Sequence, residues 1–236
     1  CLYGPVSTAA TNRHSWGFWA TDGLKEQTEL ARQRWHKWQI ITAERKVTQI
    51  ADSHPYCRLD SRDWLTHCLN VIDGNIQQEP DSLPKPGAKP IFDSRPPSVP
   101  DGAMLQHFKG VEIKAAQPCF SPDTAILMDF RCDQSRGIHF IYLLPYSPTE
   151  ALVESTMLSP KRQDDEFYAE AIKTYLETYW ATGGWQVNHT EQGCIPMAFV
   201  QPVNLDYLPI GANGGCVRPS SGYAFAFIQK HTDAIV

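Results

Sequence analysis

Three β-rich runs, Ala125–Cys132, Ile138–Leu144 and Glu150–Met157, follow one another with almost nothing between them. The first gap is Asp133-Gln134-Ser135-Arg136-Gly137, a hairpin-loop composition. Gaps this short join antiparallel neighbours, because parallel strands need a crossover of roughly a dozen residues. The middle of the chain is therefore expected to form a mainly antiparallel sheet. Further strands are expected at Gln39–Ile50, Pro90–Ser94 and Trp185–His189. In Glu166–Trp180, Phe167, Ala171, Tyr175 and Tyr179 recur at helical spacing, and Gly183-Gly184 supplies a stop. Asp60–Leu69 reads as a second helix, with Ser61 as N-cap and Trp64, Leu65, Cys68 and Leu69 on one face. Leu24–Trp38 has a weaker helical pattern. The Pro-rich Glu79–Pro90 reads as an exposed connection, and Cys1–Ala10 as a loop. The fold class expected is α/β with α+β character.

Hydrophobic residues make up 42% and charged residues 20% of the 236, so a packed core is expected rather than disorder. A net charge of -5 argues against a nucleic-acid binder, which needs a basic surface. No apolar run reaches the roughly 18 residues of a spanning helix, and no signal-peptide pattern opens the sequence. The expectation is a cytoplasmic protein, soluble or held peripherally at a membrane. The cysteines include no Cys-x-x-Cys and the histidines no His-Glu-x-x-His, so neither a disulfide framework nor a metal site is expected. Gly-x-Ser-x-Gly and the P-loop pattern are absent. The first residue is Cys1, and the sequence stops at Ile235-Val236 soon after a helix begins; both ends are expected to be cuts through a longer protein.

Three segments carry candidate chemistry. The first is Ile210-Gly-Ala-Asn-Gly-Gly-Cys-Val-Arg-Pro-Ser-Ser-Gly-Tyr223, followed by an apolar helix start. Its glycines permit positive φ and close backbone approach, and a helix start presents free N–H groups to an anion. That fits a phosphate or flavin cradle, and equally a glycine-rich turn. The second, Ile91-Phe-Asp-Ser-Arg-Pro-Pro97, ends a short strand in the acid Asp93 and the base Arg95: either a ligand site at a strand's carboxyl end or a surface ion pair. The third centres on Ala151-Leu-Val-Glu-Ser-Thr156. There Glu154 interrupts an apolar strand, sharing a face with Leu152 while Val153 and Ser155 share the other. A carboxyl so placed either has a raised pKa suited to a general acid or pairs with a base on the solvent side.

Taken in order, these segments resemble the lycopene cyclase family. The resemblance runs through Asn12–Trp19, Tyr56–Leu69, Ile91–Pro97, Leu105–Glu112, Leu127-Met-Asp-Phe-Arg131, Tyr142–Pro148, Leu152–Thr156, Glu191-Gln-Gly-Cys-Ile-Pro-Met197 and Gly211–Tyr223. It implies the two-domain FAD/NAD(P)-binding flavoprotein plan, with an antiparallel substrate sheet interleaved with the FAD domain. The flavin parts are then expected at about 1–22, 56–98 and 206–236, and the substrate sheet at about 24–55 and 103–205. The chain departs from the family in lacking Gly-x-Gly-x-x-Gly and a C-terminal helical part, and in a shorter Asn70–Pro90 connection.

The resemblance further implies cyclisation of the linear ends of lycopene, or a related acyclic carotenoid, to β-ionone rings. The reaction has no net redox change yet uses reduced FAD, with NAD(P)H as reductant. Glu154 matches the first acid of the family's Phe-Leu-Glu-Glu-Thr-like motif and is the expected acid or cation stabiliser. Ser155 stands where the plant enzymes have a second acid, so a two-carboxylate mechanism is not expected. Asp129 and Arg131 either shape the site or pair with each other. The implied flavin contacts are Gly211, Gly214, Gly215, Pro219, Ser220 and Gly222, with Asp93 and Arg95. A bilayer-soluble substrate implies peripheral membrane contact. Trp35 and Trp38, set among Arg32, Arg34, His36 and Lys37, are candidates for it, or else core residues. The alternatives are a related FAD monooxygenase or oxidoreductase, which would consume NAD(P)H and oxygen, or an inactive remnant, which would not retain flavin.

Overall fold

A computed structural model of the chain describes residues 2–3, 13–72, 76–77, 85, 87 and 90–235. Its strands, in chain order, are β1 (Leu2–Tyr3), β2 (Ser15–Trp19), β3 (Gln33–Trp35), β4 (Lys37–Ile41), β5 (Lys46–Ile50), β6 (Tyr56–Asp60), β7 (Ile76–Gln77), β8 (Phe92–Asp93), β9 (Leu105–Ala115), β10 (Thr124–Asp129), β11 (Ile138–Pro145), β12 (Glu150–Ser159), β13 (Trp185–Pro196) and β14 (Leu208–Pro209). The α-helices are α1 (Lys25–Leu30), α2 (Ser61–Val71), α3 (Asp165–Tyr179) and α4 (Phe225–Ile235).

A seven-stranded sheet in the order β13-β9-β12-β11-β10-β4-β5 organises the molecule. It is antiparallel except where β10 runs parallel to β4. One face carries Ile113, Ile141, Leu143, Ala151 and Val153 and is covered by Ile172, Tyr175 and Leu176 of α3. The other face carries Leu127, Leu144 and Leu152, packed against Trp35 and Tyr56. A three-stranded sheet, β2-β6-β3, lies on that second side. Its core of Phe18, Cys57 and Leu59 is closed by Phe225 at the start of α4, whose ring stacks on Phe18 at 4.7 Å.

The expected hairpin and the α3 helix are present with boundaries close to those read from the sequence. Three expectations need correction, and one open alternative is decided. Gln39–Ile50 is a hairpin of β4 and β5, turned by the Thr42 hydroxyl, which accepts from the amides of Glu44 and Arg45. Within Leu24–Trp38 the α-helix is limited to α1, and the β-prone Trp35 and Trp38 go into β3 and β4. The N-cap of α2 is Asp60, whose carboxylate accepts from the Arg62 amide; Ser61 is the first helical residue. Of the two readings of Trp35 the core one holds: it is 1% exposed, and its indole N–H donates to the Pro145 carbonyl at 3.1 Å. Trp38 is half-buried against the same core. The neighbouring cations are engaged too: Arg32 with Asp63, Arg34 with the Thr28 and Glu29 carbonyls, and Lys37 with Asp123. Most of Glu79–Pro90 and Cys1–Ala10 lies outside the described residues.

Candidate active site

Between the large sheet and the layer formed by β2, β6, α2 and α4 lies a cavity of about 540 Å³. Strand register sets its floor. Tyr142 of β11 is paired with Glu154 of β12, Glu154 with Gly110 of β9, and Gly110 with Glu191 of β13. Directly paired residues point to one face, so aromatic, acid, gap and acid stand in a row across four strands. Leu144, Leu152 and Phe108 extend the floor. The Phe108 ring lies over Gly193, where a Cβ would come within 2.5 Å of it. Ser15, Trp16 and Tyr56 form one wall, Trp64 and Leu65 of α2 another, and Gly222, Tyr223 and Phe225 the roof.

Glu154 is half-buried, and its Oε1 accepts from the Thr156 hydroxyl at 2.7 Å. Desolvation pushes its pKa up to about 7, outweighing the hydrogen bond from Thr156, which acts in the opposite sense. Glu191 is 4% exposed, and its Oε2 accepts from the Ser15 amide at 2.7 Å. Burial, with Glu154 as a like charge, pushes Glu191 up to about 8. A second carboxyl therefore lines the cavity, supplied by β13 and not by the position of Ser155. Ser155 is on the opposite face, fully buried and bonded to His139 Nε2 at 2.8 Å.

Asp129 and Arg131 are not brought to this cavity. Arg131 binds both oxygens of Asp129, at 2.9 and 2.6 Å, and Tyr175 of α3 donates to Oδ2 at 2.9 Å. The Arg131 guanidinium lies 3.9 Å from the Tyr179 ring centre. The pair thus ties the end of β10 to α3, and Arg131 lines a separate cleft beside that helix.

The glycine segment runs from the paired strands β8 and β14 to the roof of the cavity. Asp93 and Arg95 form a bidentate pair at the start of the segment, where the Ile210 amide and the Asn213 side chain donate to the Asp93 carbonyl. Gly211, Gly215 and Gly222 take φ of 60°, 78° and 69°, which L side chains adopt only under strain. A Cβ added at Gly211 or Gly215 would meet nothing within 4 Å, so the backbone there faces open space. Gly214 is small for a different reason: a Cβ would come within 2.7 Å of the Pro209 carbonyl oxygen. Pro219 and Ser220 belong to the turn that precedes Gly222, at the cavity end of the segment.

Residues 84–236 match the family model described as lycopene cyclase protein. The lycopene beta-cyclase of a Paracoccus species is 33% identical over 139 residues, covering 56% of this chain and 35% of that protein. That of Pantoea ananas is 25% identical over 249 aligned positions, covering 96% of this chain and 64% of that protein. The chain thus spans between about a third and two thirds of the length of these relatives. Among solved structures, a geranylgeranyl bacteriochlorophyll reductase-like protein from Thermoplasma acidophilum superimposes with a TM-score of 0.63 at 11% identity, over 91% of this chain and 64% of that one. A flavin-dependent brominase gives 0.54 at 12% identity, over 88% and 62%. Identities this low establish a shared fold and nothing finer.

Proposed function

The chain belongs to the lycopene cyclase family, and from that premise we propose that it carries the ring-closing site of a lycopene β-cyclase. The substrate proposed is the linear end of an acyclic carotenoid. The observation that carries this reading is a carboxyl of raised proton affinity, Glu154, on the floor of a largely apolar, aromatic-walled cavity. Such an acid keeps its proton near neutral pH and can deliver it to a terminal alkene. The Thr156 hydroxyl donates to Oε1, which leaves Oε2 to hold that proton. Leu144, Leu152 and Ile195 exclude the water that would trap a carbocation. The aromatic rings of Tyr56, Tyr142, Trp16 and Phe108 line the cavity, and their quadrupoles stabilise positive charge while the ring closes.

The open backbone at Gly211 and Gly215, with Asp93 and Arg95 beside it, fits a flavin, and these residues with Pro219, Ser220 and Gly222 are proposed to hold FAD. When bound and reduced by NAD(P)H, the flavin supplies electron density that favours a developing cation. The flavin and substrate parts are proposed to divide as the family's plan implies, with one change. Strand β3 bonds to β6, so the substrate sheet begins at Lys37.

The test is complementation of lycopene-accumulating cells with the full-length protein. Glu154→Gln keeps the shape and removes the acid. Ring products should fall by roughly 100-fold or more, with fold and flavin content retained. Unchanged cyclic carotenoid output would overturn the proposal.

A further inference from the structure

The row Tyr142, Glu154, Gly110, Glu191 places two carboxylic acids on either side of a residue without a side chain. Adjacent strands lie about 4.8 Å apart, so any other residue at position 110 would stand between the acids. A Cβ there would lie 3.3 Å from Cγ of Glu191 and 3.4 Å from Cβ of Glu154, so both side chains flank the gap closely. The cation that Glu191 feels is Arg58, and Arg58 is already committed to Glu112 at 2.6 Å, to Ser15 Oγ and to Gln33. Two acids in one desolvated site, with no cation of their own among the described residues, cannot both ionise cheaply. They therefore retain one proton between them near neutral pH, and with both affinities raised either carboxyl can hold it.

We propose that Glu154 and Glu191 act as one proton-sharing pair, with Gly110 as its spacer: Glu154 delivers the proton that starts ring closure and Glu191 accepts the proton that ends it. This rests on the cyclase reading above. The O–H bond of Glu154 breaks as a C–H bond forms at the terminal alkene. The neighbouring double bond attacks the resulting cation and forms the ring C–C bond. Loss of a proton from the carbon beside the new cation to the Glu191 carboxylate then forms the ring double bond. The pair begins and ends with one proton, and its transfer from Glu191 to Glu154 resets the site. The ring closure itself consumes no other reactant, as an isomerisation requires.

The groups facing the pair are Tyr56 and Tyr142 beside Glu154, and Arg58, Glu112 and Tyr146 around Glu191. His14 also lines the cavity. Carbon-13 NMR of glutamate-labelled, full-length protein reads the two carboxyls directly, and complementation reads ring closure. In wild type the pair should titrate in two separated steps. Glu191→Gln should lower ring products by roughly 100-fold and move the Glu154 titration down by about one unit or more. A merely structural Glu191 would leave the Glu154 titration in place. Gly110→Ala, with its Cβ wedged between the acids, should also cost activity and shift both titrations. It supplies the same readout if Glu191→Gln does not fold. If Glu154→Gln abolishes ring closure while Glu191→Gln retains it, or if the Glu154 titration is unmoved in Glu191→Gln, the pair is refuted and the cyclase site stands. If both Gln variants cyclise normally, the cyclase site falls as well.

Discussion

Glu154 and Glu191 bind protons more tightly folded than unfolded, and that has a sign that stability measurements read. A carboxyl raised from 4.5 to about 7 or about 8 favours the folded state below its unfolded pKa. The contribution is lost as pH rises through the folded value. Stability supplied by this pair should therefore decline between about pH 5 and 8. His14, His107 and His139 act in the opposite sense, since burial lowers their affinity and protonation below about 6.5 opposes folding. The useful quantity is thus the difference between wild type and the double variant Glu154→Gln/Glu191→Gln in urea unfolding. The variant should gain on wild type across that window by a few kcal/mol at most; parallel pH curves would contradict the raised affinities. Of the two acids, only Glu154 was legible as a candidate site residue, because it interrupts an apolar alternation. Glu191 sits among Gln186, Asn188, His189, Thr190 and Gln192, where an acid looks like ordinary surface. Its hydrogen-bond partner, the Ser15 amide, is 176 positions away in sequence, and no local pattern encodes that contact.

Among the elements, the sequence resolved those whose period is driven by one-sided burial. Helix α3 and strands β10, β11 and β12 have clean apolar faces, and their expected boundaries hold within a few residues. Strand β9 was not anticipated as a strand because Lys109, Gly110, Glu112 and Lys114 break the alternation. Its position between β12 and β13, with Glu112 neutralised by arginines, compensates for those residues. Strand β13 continues to Pro196 because it is the sheet edge and needs no apolar face toward solvent. The glycine segment was legible as a ligand cradle or a turn before a helix, but which of its glycines face open space was not. Gly215→Val would confound strain with contact, since φ is 78° there. Asparagine tolerates positive φ far better and still projects a side chain into the open space. Gly215→Asn in the full-length protein should therefore lose flavin absorbance per protein several-fold, while its circular dichroism and unfolding midpoint stay close to wild type. Full flavin retention in the folded variant would remove this segment from the flavin site.

At the scale of the molecule, the two sheets are joined by a cluster of charges. Glu112 of β9 accepts from both terminal nitrogens of Arg13, at 2.7 Å each, from Arg58 of β6 at 2.6 Å and from the Tyr146 hydroxyl at 3.1 Å. Arg13 also binds Asp60, the fully buried N-cap of α2, at 2.6 Å. Glu112 is 8% exposed and Arg58 2%. Burying such a cluster gains little over apolar packing, because desolvation offsets the Coulomb attraction, yet removing one member strands the others. Glu112→Leu leaves two guanidinium groups without their shared carboxylate and should cost about 3–5 kcal/mol in urea unfolding. Arg58→Met, added to Glu112→Leu, removes one of the stranded cations, so the double variant should be less destabilised than the sum of the singles. The same cluster fixes Arg13, two residues before the amide that holds Glu191. Loosening it should therefore reach the floor of the cavity as well. In Glu112→Leu the Glu191 carboxyl loses both a nearby like charge and a firm grip on Ser15, and its titration should shift while that of Asp123, paired on the far strand β4 with Lys37, does not. An unfolding midpoint equal to wild type, or strictly additive costs for the two substitutions, would show that the sheets are held together by their apolar contacts alone.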